Sequence, residues 1–408
     1  MSCRLRVLSG LGAKAAACFL IEAPGGRLLL DLGAVGDPAS NPDLRGVGPV
    51  DAVILGHLHP DHAGGLPRAA EVGDPPIHAT GLTATGLAVR GLAATGPAAG
   101  GRDGRALCPL PLRGRTEVCG VPLTTGRNGH APGGVWLHLG LGDGLLYCGD
   151  LGFGSAVWPL DAPPAAGTVV IDASFGAAEA PAEPPVQALA AALEAVRGAG
   201  GGPLLLPAPA WGRGPELALA AHRLGAPLAL DAGHRAAIAA ALAVPGALLP
   251  AAVKALPGIV AAAEAAETAP ARPGLVVLID DAPARGPLAA DWLARIEAGG
   301  GAIRFTGHRP PGSPAARLVQ EGRAGRLPWA VHPWLAETRA LLAGCGARAA
   351  MPAFCDPAEY PALAAALAPV ALLTGPEIAL QPPGRRRFRA ACYGTLAMAA
   401  RLFHPLRR

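Results

Sequence analysis

The chain of 408 residues has little charge, few aromatic side chains and almost no lysine. Charged residues make up 16% of it and aromatic residues 4%, and lysine occurs only at Lys14 and Lys254. The net charge of +4 permits a nucleic-acid or phosphorylated partner but does not require one. Composition alone therefore leaves the function open.

The cysteines include no C-x-x-C pair, so the sequence indicates neither a zinc ribbon nor a redox motif. We expect most of them to be small, buried hydrophobic residues. The eight positions are Cys3, Cys18, Cys108, Cys119, Cys148, Cys345, Cys355 and Cys392.

Long apolar runs are also missing. The run at residues 15–21 is too short for a signal sequence or a membrane span. We therefore expect a cytoplasmic protein with no membrane partner.

The length allows two domain-sized cores, or one domain with a second inserted into it. Short apolar runs separated by turn residues predict strands in the first third of the chain, at 18–22, 27–31, 52–55 and 144–148. Between 184 and 281 a helix at 184–198 is followed by apolar runs at 204–207, 228–231 and 275–280, with Ala/Leu-rich stretches between them. This alternation predicts a parallel sheet flanked by helices. Further helices are predicted at 335–343 and 360–367.

The clearest motif is the run Gly-His-Leu-His-Pro-Asp-His-Ala-Gly-Gly, which follows the apolar strand at 53–55. It carries His57, His59, Asp61 and His62 within six residues. Imidazole and carboxylate are metal ligands, and clustering them at a strand end is costly unless they bind a metal ion. The motif therefore predicts a metal site.

Such a site needs further ligands, and two candidates follow along the chain. His130 lies in a Gly-His-Ala-Pro-Gly-Gly segment, and Asp150 follows the apolar run at 144–148. Taken singly, each residue is also typical of a turn or a helix cap. Other histidines match no ligand spacing and are read as structural: His78, His138, His222, His234 and His404.

Together these motifs resemble the metallo-β-lactamase superfamily, and the resemblance covers residues 1–176, including Asp31 in an Asp-x-Gly turn. It implies zinc, with manganese or iron as alternatives. By this resemblance the first metal is held by His57, His59 and His130, the second by Asp61 and His62, and Asp150 bridges the two.

Three later segments resemble the β-CASP nucleases of that superfamily, which include ribonuclease J and the nuclease subunit of the mRNA cleavage and polyadenylation factor. They are Asp-Ala-Ser-Phe-Gly beginning at Asp172, Pro-Ala-Trp-Gly-Arg-Gly-Pro-Glu ending at Glu216, and Phe-Thr-Gly-His ending at His308. Asp172 alone would be read as a strand-end or capping residue. The implied fold class is α/β, a metallo-β-lactamase αβ/βα sandwich formed by residues 1–176 and 331–408. An α/β domain of the β-CASP type is inserted at 177–330.

The resemblance also implies roles for the site residues. Asp61 would orient the attacking water, Asp172 and His332 would assist catalysis, and Arg213, His308 and Arg317 would bind substrate. Two metal ions about 3.5 to 4 Å apart activate water and clamp an in-line displacement at phosphorus.

One position departs from the family. Phe354 stands where the family has a metal-binding histidine, so the second of two expected Zn²⁺ ions would be weakly held unless Cys355 or Asp356 substitutes. The basic run of Arg385, Arg386, Arg387 and Arg389 is read either as a solvated face or as a phosphate contact.

Three functions follow as alternatives. The first is a β-CASP ribonuclease acting on RNA, with DNA as an alternative substrate. The second is a small-molecule hydrolase for an ester, thioester or lactone, because fold does not fix chemistry. The third is a non-catalytic nucleic-acid-binding relative that keeps one metal ion. The sequence leaves both a monomer and a homodimer open.

Overall fold

The computed structural model describes residues 3–92, 106–198 and 201–380. Within these ranges the chain forms two compact units, the first made of residues 3–154, 160–180 and 332–380 and the second of 155–159 and 181–331. The second unit spans nearly the residues of the predicted insert, and its identity as a β-CASP domain stays a prediction. The basic run beginning at Arg385, together with Cys392 and His404, lies outside the described residues.

The described residues contain twenty strands. In chain order they are β1 Arg4–Ser9, β2 Cys18–Ala23, β3 Gly26–Leu30, β4 Ala52–Ile54, β5 Ile77–Thr80, β6 Leu107–Leu110, β7 Gly114–Val118, β8 Val121–Arg127, β9 Val135–Leu139, β10 Leu145–Tyr147, β11 Thr168–Asp172, β12 Leu204–Pro207, β13 Leu228–Leu230, β14 Glu264–Ala265, β15 Val276–Ile279, β16 Ala302–Phe305, β17 Gly325–Arg326, β18 Ala349–Ala353, β19 Ala371–Leu372 and β20 Glu377–Ala379.

Ten α-helices accompany the strands in the same ranges. They are α1 Pro60–Ala63, α2 Gly81–Val89, α3 Pro185–Gly198, α4 Gly214–Arg223, α5 Ala232–Leu242, α6 Pro250–Ala262, α7 Pro287–Gly299, α8 Pro314–Gln320, α9 Leu335–Cys345 and α10 Tyr360–Leu367. Short 3-10 helices occur at Pro38–Ser40, Leu66–Val72 and Pro357–Glu359.

Two seven-stranded mixed sheets form the first unit. Their strand orders are β20-β1-β2-β3-β4-β5-β6 and β19-β18-β11-β10-β9-β8-β7. In each sheet one half is antiparallel and the other parallel: β3 to β6 run parallel in the first sheet, and β10, β11, β18 and β19 run parallel in the second. Parallel neighbours end at the same edge of a sheet, so the loops after them lie close together.

The strands that carry the site are apolar on both faces, because each face is covered. Along β10, Leu145 and Tyr147 enter the core shared by the two sheets, whereas Leu146 enters a second core on the opposite face. Successive side chains of a strand point to opposite faces, which explains the continuous apolar run. Helices α9 and α10 supply the other side of the second core through Leu342 and Leu363. The first unit is thus layered, with sheet against sheet and helices outside the second sheet.

The second unit contains a six-stranded sheet, β14-β13-β15-β12-β16-β17, in which every recorded pair of strands is parallel. This confirms the parallel sheet predicted from the strand and helix alternation. Its central strands β12 and β15 are buried throughout, and Trp292 of α7 packs fully buried on one face. The helix beginning near residue 184 and the strand at 204–207 also lie where the sequence predicted them.

The cysteine prediction holds in part. Cys18, Cys148, Cys345 and Cys355 are buried, whereas Cys3, Cys108 and Cys119 are half-buried. Cys108 lies on β6, at the edge of its sheet, and Cys119 lies in the hairpin turn between β7 and β8. Edge and turn positions leave one side of a residue uncovered, which a cysteine count cannot reveal.

No helix among the described residues is long and apolar enough to cross a membrane.

Main-chain hydrogen bonds hold the histidine-rich loop against the turn after β3. The amide of Leu32 donates to His62 O at 2.9 Å, that of Ala34 to Pro60 O at 2.9 Å, and that of Ala17 to Asp61 O at 2.7 Å. Gly33 lies in the middle of this contact, and a Cβ added there would overlap the carbonyl oxygen of Asp61. The close approach therefore requires glycine.

Gly33→Ala should lower the free energy of unfolding by about 1–3 kcal/mol, because the added methyl group must push two backbone segments apart. Gly36→Ala is the matched control: Gly36 is exposed and nothing lies within 4 Å of its added Cβ. Urea unfolding of the two variants measures the difference. Equal unfolding free energies for both variants would contradict the close contact at Gly33.

Candidate metal centre

The histidine-rich loop begins where β4 ends. Gly56 donates its backbone N–H to Asp31 Oδ1 at 2.7 Å, and Leu58 is fully buried. His59 then precedes the short helix α1, in which Pro60 occupies the first turn, a position where proline loses no hydrogen bond. These anchors turn His57, His59 and His62 toward one point of the first unit.

Four side chains form what we call the first group: His57, His59, His130 and Asp150. The Nδ1 atom of His59 lies 3.0 Å from His57 Nε2 and 3.1 Å from His130 Nε2. Asp150 Oδ2 lies 3.3 Å from His130 Nε2 and 3.6 Å from His57 Nε2. Three ring nitrogens and a carboxylate oxygen thus face one another.

The ring nitrogens of the first group, together with Asp150 Oδ2, form a donor set for a metal ion. Burial, reinforced by the neighbouring histidines, holds the pKa values of His57 and His59 well below their ordinary value, so both rings are neutral. A neutral imidazole has one N–H and one lone pair, and His59 Nδ1 faces two other ring nitrogens. A divalent cation can accept all three lone pairs, and zinc binds imidazole nitrogens at about 2.0–2.1 Å. The first group therefore fits a metal ion.

A second group consists of Asp61, His62 and Asp150. His62 Nε2 lies 3.1 Å from Asp150 Oδ1, the oxygen that does not face the first group. Burial by itself lowers the pKa of His62, but the carboxylates of Asp150 and Asp31 outweigh it and raise that pKa well above its ordinary value. Asp61 is only half-buried.

The Asp150 carboxylate is ionised within this cluster. Burial acts to raise its pKa, but His62, His332 and His130 lower it more, and the pKa lies well below its usual range. One buried anion is thus surrounded by imidazoles on several sides.

Asp31 lies behind His62 and fixes its ring. Asp31 Oδ2 is 2.6 Å from His62 Nδ1 and also accepts a hydrogen bond from the Tyr147 hydroxyl at 2.6 Å. The Asp31 side chain is fully buried, and its backbone is left-handed with φ +59°, a conformation that aspartate tolerates better than most residues. The sequence indicated the turn at Asp31 but gave no signal for Tyr147, because this tyrosine ends an apolar strand and looks like a core residue.

A third group contains Asp150, Asp172 and His332. Asp172 Oδ2 lies 2.8 Å from His332 Nδ1. The backbone amides of Leu151 and Ser174 donate to the two Asp172 oxygens at 3.0 and 3.1 Å, so this carboxylate is held in place. The His332 side chain keeps 16% of its surface exposed, and solvent can therefore reach it.

His130 depends on Asn128, which the sequence reasoning missed. Asn128 is buried, and its Oδ1 accepts the backbone N–H of His130 at 3.0 Å. The available signal was Asn128 followed by Gly129, a pair typical of a tight turn. This turn presents the His130 ring to His59.

Residues 11–198 match the sequence profile of the metallo-beta-lactamase superfamily. The chain carries a metallo-beta-lactamase superfamily domain. No curated protein matches the sequence. The fold is similar to a crystal structure of a protein of unknown function from Enterococcus faecalis V583, with 13% identity, a TM-score of 0.58 and coverage of 93% of this chain and 100% of that chain. At this identity the likeness shows the fold alone.

The metallo-beta-lactamase domain thus contains a His/Asp cluster suited to metal, as the sequence predicted. The structure brings together all six predicted ligands, namely His57, His59, Asp61, His62, His130 and Asp150, and it places the predicted catalytic pair Asp172 and His332 beside them. Their individual roles, and the identity and number of metal ions, stay predictions.

Phe354 contacts the second group directly. Its ring is buried and meets the His62 ring edge-on, with centroids 5.3 Å apart. The expected alternatives to the missing histidine do not join the cluster: Cys355 donates its S–H to Asp356 O at 3.5 Å, and the Asp356 side chain is turned to Ala358 N at 2.9 Å. Neither residue belongs to a metal-capable group among the described residues. Among the described residues, neither Cys355 nor Asp356 takes the place of the missing histidine.

The predicted substrate-binding residues all lie in the second unit. Arg213 Nη1 donates to Thr306 O at 2.7 Å, and burial lowers the pKa of Arg213 to about 10 against an opposing effect of Glu216. His308 follows on the same loop and is exposed. Arg317 is exposed on α8, with Nη1 3.5 Å from Gly312 O. Arg213 thus links two loops of its own unit, and contact of these residues with substrate stays a prediction.

His130→Ala should abolish stoichiometric metal binding, because it removes one of three imidazoles from the first group. The loss of metal affinity should exceed the roughly 10–100-fold that is typical when a residue that only hydrogen-bonds to a metal ligand is substituted. His138→Ala is the control, since His138 lies on β9 outside the three groups and its Nε2 contacts Ala165 O at 3.1 Å. Metal content after dialysis against a weak chelator measures both variants. Unchanged metal in His130→Ala would remove His130 from the site.

Proposed function

We propose that this protein is a metal-dependent hydrolase that cleaves phosphodiester bonds in RNA. The observation that carries the proposal is the hydrogen-bonded pair of Asp172 and His332 beside the first group. Such a pair supplies a proton-transfer group next to a metal-binding cluster, which the hydrolysis of an ester with a poor leaving group requires.

The first group would hold the ion through His57, His59, His130 and Asp150. Three imidazoles favour zinc over magnesium or calcium, which prefer oxygen ligands. When bound, a divalent ion acidifies water and stabilises charge on phosphoryl oxygens.

Asp172 sets the orientation of His332. Because Asp172 Oδ2 faces Nδ1 of the ring at 2.8 Å, the Nδ1 proton is held there, and Nε2 is the atom that exchanges a proton with substrate. The backbone amides on Asp172 prevent the carboxylate from rotating away. His332 would therefore protonate the leaving oxygen at Nε2, and Asp172 would act as its positioning residue.

The preference for RNA rests on the three β-CASP-like segments in the sequence and on the mildly basic chain. Phe175 and Trp334 add a local argument. Their rings stack with centroids 4.1 Å apart, and Phe175 meets His332 edge-on at 5.8 Å. Aromatic rings beside a reactive group provide contact surface for nucleic-acid bases.

A second candidate is a non-catalytic nucleic-acid-binding relative. Phe354 favours it, because an aromatic ring packs on His62 where the family has a metal ligand. The third alternative, a small-molecule ester hydrolase, has no comparable observation in its favour.

An assay of the full chain on end-labelled RNA, alongside a p-nitrophenyl ester and with metal content measured on the same sample, separates these functions. Cleavage of RNA that stops on chelation and returns with Zn²⁺ supports the proposal. Metal binding with RNA retention but no cleavage supports the second candidate. Hydrolysis of the ester and not of RNA supports the third.

His332→Ala should lower RNA cleavage by about 10²–10⁴-fold while leaving metal content unchanged, because the ring donates a proton and does not bind the ion. Asp172→Asn should lower cleavage less and shift its pH profile, since it keeps the hydrogen-bonding shape and removes the charge beside His332. His138→Ala is the control for general effects of histidine removal. Metal loss in His332→Ala would make His332 a ligand, and full activity would remove it from the mechanism.

A further inference from the structure

The two metal positions of this domain are unequal in their donors. The first group offers three imidazole nitrogens and Asp150 Oδ2. The second group offers one imidazole, from His62, with Asp150 Oδ1 and the half-buried carboxylate of Asp61. Borderline metals such as zinc favour nitrogen donors, so the first position is the stronger.

His62 is already partnered by protein on both sides. Its Nδ1 lies 2.6 Å from Asp31 Oδ2 and its Nε2 lies 3.1 Å from Asp150 Oδ1. By contrast, His57, His59 and His130 direct ring nitrogens at one another. The first group therefore gathers three imidazole nitrogens and one carboxylate oxygen around one point, which is a donor set that zinc takes.

Phe354 closes the remaining side of His62. It directly follows Ala353, which pairs with Asp172 in neighbouring parallel strands, so the strand end delivers this side chain to the cluster. The backbone amide of Phe354 donates to Gly10 O at 2.8 Å, and its φ of +62° is costly for an aromatic residue. The backbone at this position is fixed by its hydrogen bond, and the phenyl ring has no nitrogen or oxygen atom. Phe354 therefore offers no ligand to a metal ion.

We infer that the centre binds a single metal ion at the first group, and that Phe354 excludes a second ion beside His62. His62 is then a positioning residue that holds Asp150 Oδ1 and so aims Oδ2 at the ion. This inference rests on the metal-dependent part of the proposed function and is independent of whether RNA is the substrate.

The test is metal stoichiometry of the full chain, saturated with Zn²⁺, freed of excess ion and measured by elemental analysis, with calorimetric titration as a second readout. Wild type should bind about one ion per chain. Phe354→His should bind about two, because it adds an imidazole next to His62. Phe354→Leu, the matched control, removes the aromatic ring without adding a donor and should stay at one.

Two ions in the wild type overturn the inference. One ion in Phe354→His, with unfolding by urea unchanged, also overturns it, because the aromatic ring would not then be what excludes the second ion. Should Phe354→His fail to fold, His62→Asn decides: with one ion in the wild type, a count that stays at one supports His62 as a positioning residue, and loss of that ion contradicts the inference.

These outcomes are separable from those of the proposed function. Absence of any bound ion defeats the metal-dependent hydrolase itself. One ion without RNA cleavage defeats the ribonuclease and leaves the single-ion centre intact.

Discussion

The buried carboxylate of Asp150 lies between the two sides of the histidine cluster. One oxygen faces His57 and His130, and the other faces His62. Placing an anion in the interior is costly unless charges or hydrogen bonds surround it. The surrounding imidazoles stabilise the buried anion. The positions of these rings therefore depend on the Asp150 side chain.

The fold makes this arrangement rigid through strand ends. Asp31 follows β3, His57 follows β4 closely, Asp150 follows β10, and Asp172 ends β11. Each of these strands has buried apolar side chains on both faces. The loops between these strands are also held in place, because main-chain hydrogen bonds join the turn after Asp31 to the histidine-rich loop. The polar residues therefore need no flexible adjustment to meet.

A single side chain at the end of β18 adds to the asymmetry of the cluster. Phe354 contributes to the core between the two sheets and also contacts His62. A ring in this place stabilises the domain by apolar burial, while it takes away a donor from the site. At this position an apolar ring favours core packing, whereas metal binding would favour a histidine.

The sequence by itself determined the core of the His/Asp cluster, because His57, His59, Asp61 and His62 lie within six residues. A single loop is enough to bring these side chains together. It also determined three strands of the second unit, at 204–207, 228–231 and 275–280, and their parallel arrangement, since apolar runs of strand length between helical stretches have few other solutions. The departure at Phe354 was visible too.

Only the tertiary structure decided the contacts between distant segments. Tyr147 reaches Asp31 across 116 positions and His332 reaches Asp172 across 160, and no local pattern encodes such pairs. It also showed that Cys355 and Asp356 turn away from the cluster. The physical reason is that the spacing of residues along the chain does not fix the direction of their side chains. That direction depends on strand pairing and on the packing around each side chain.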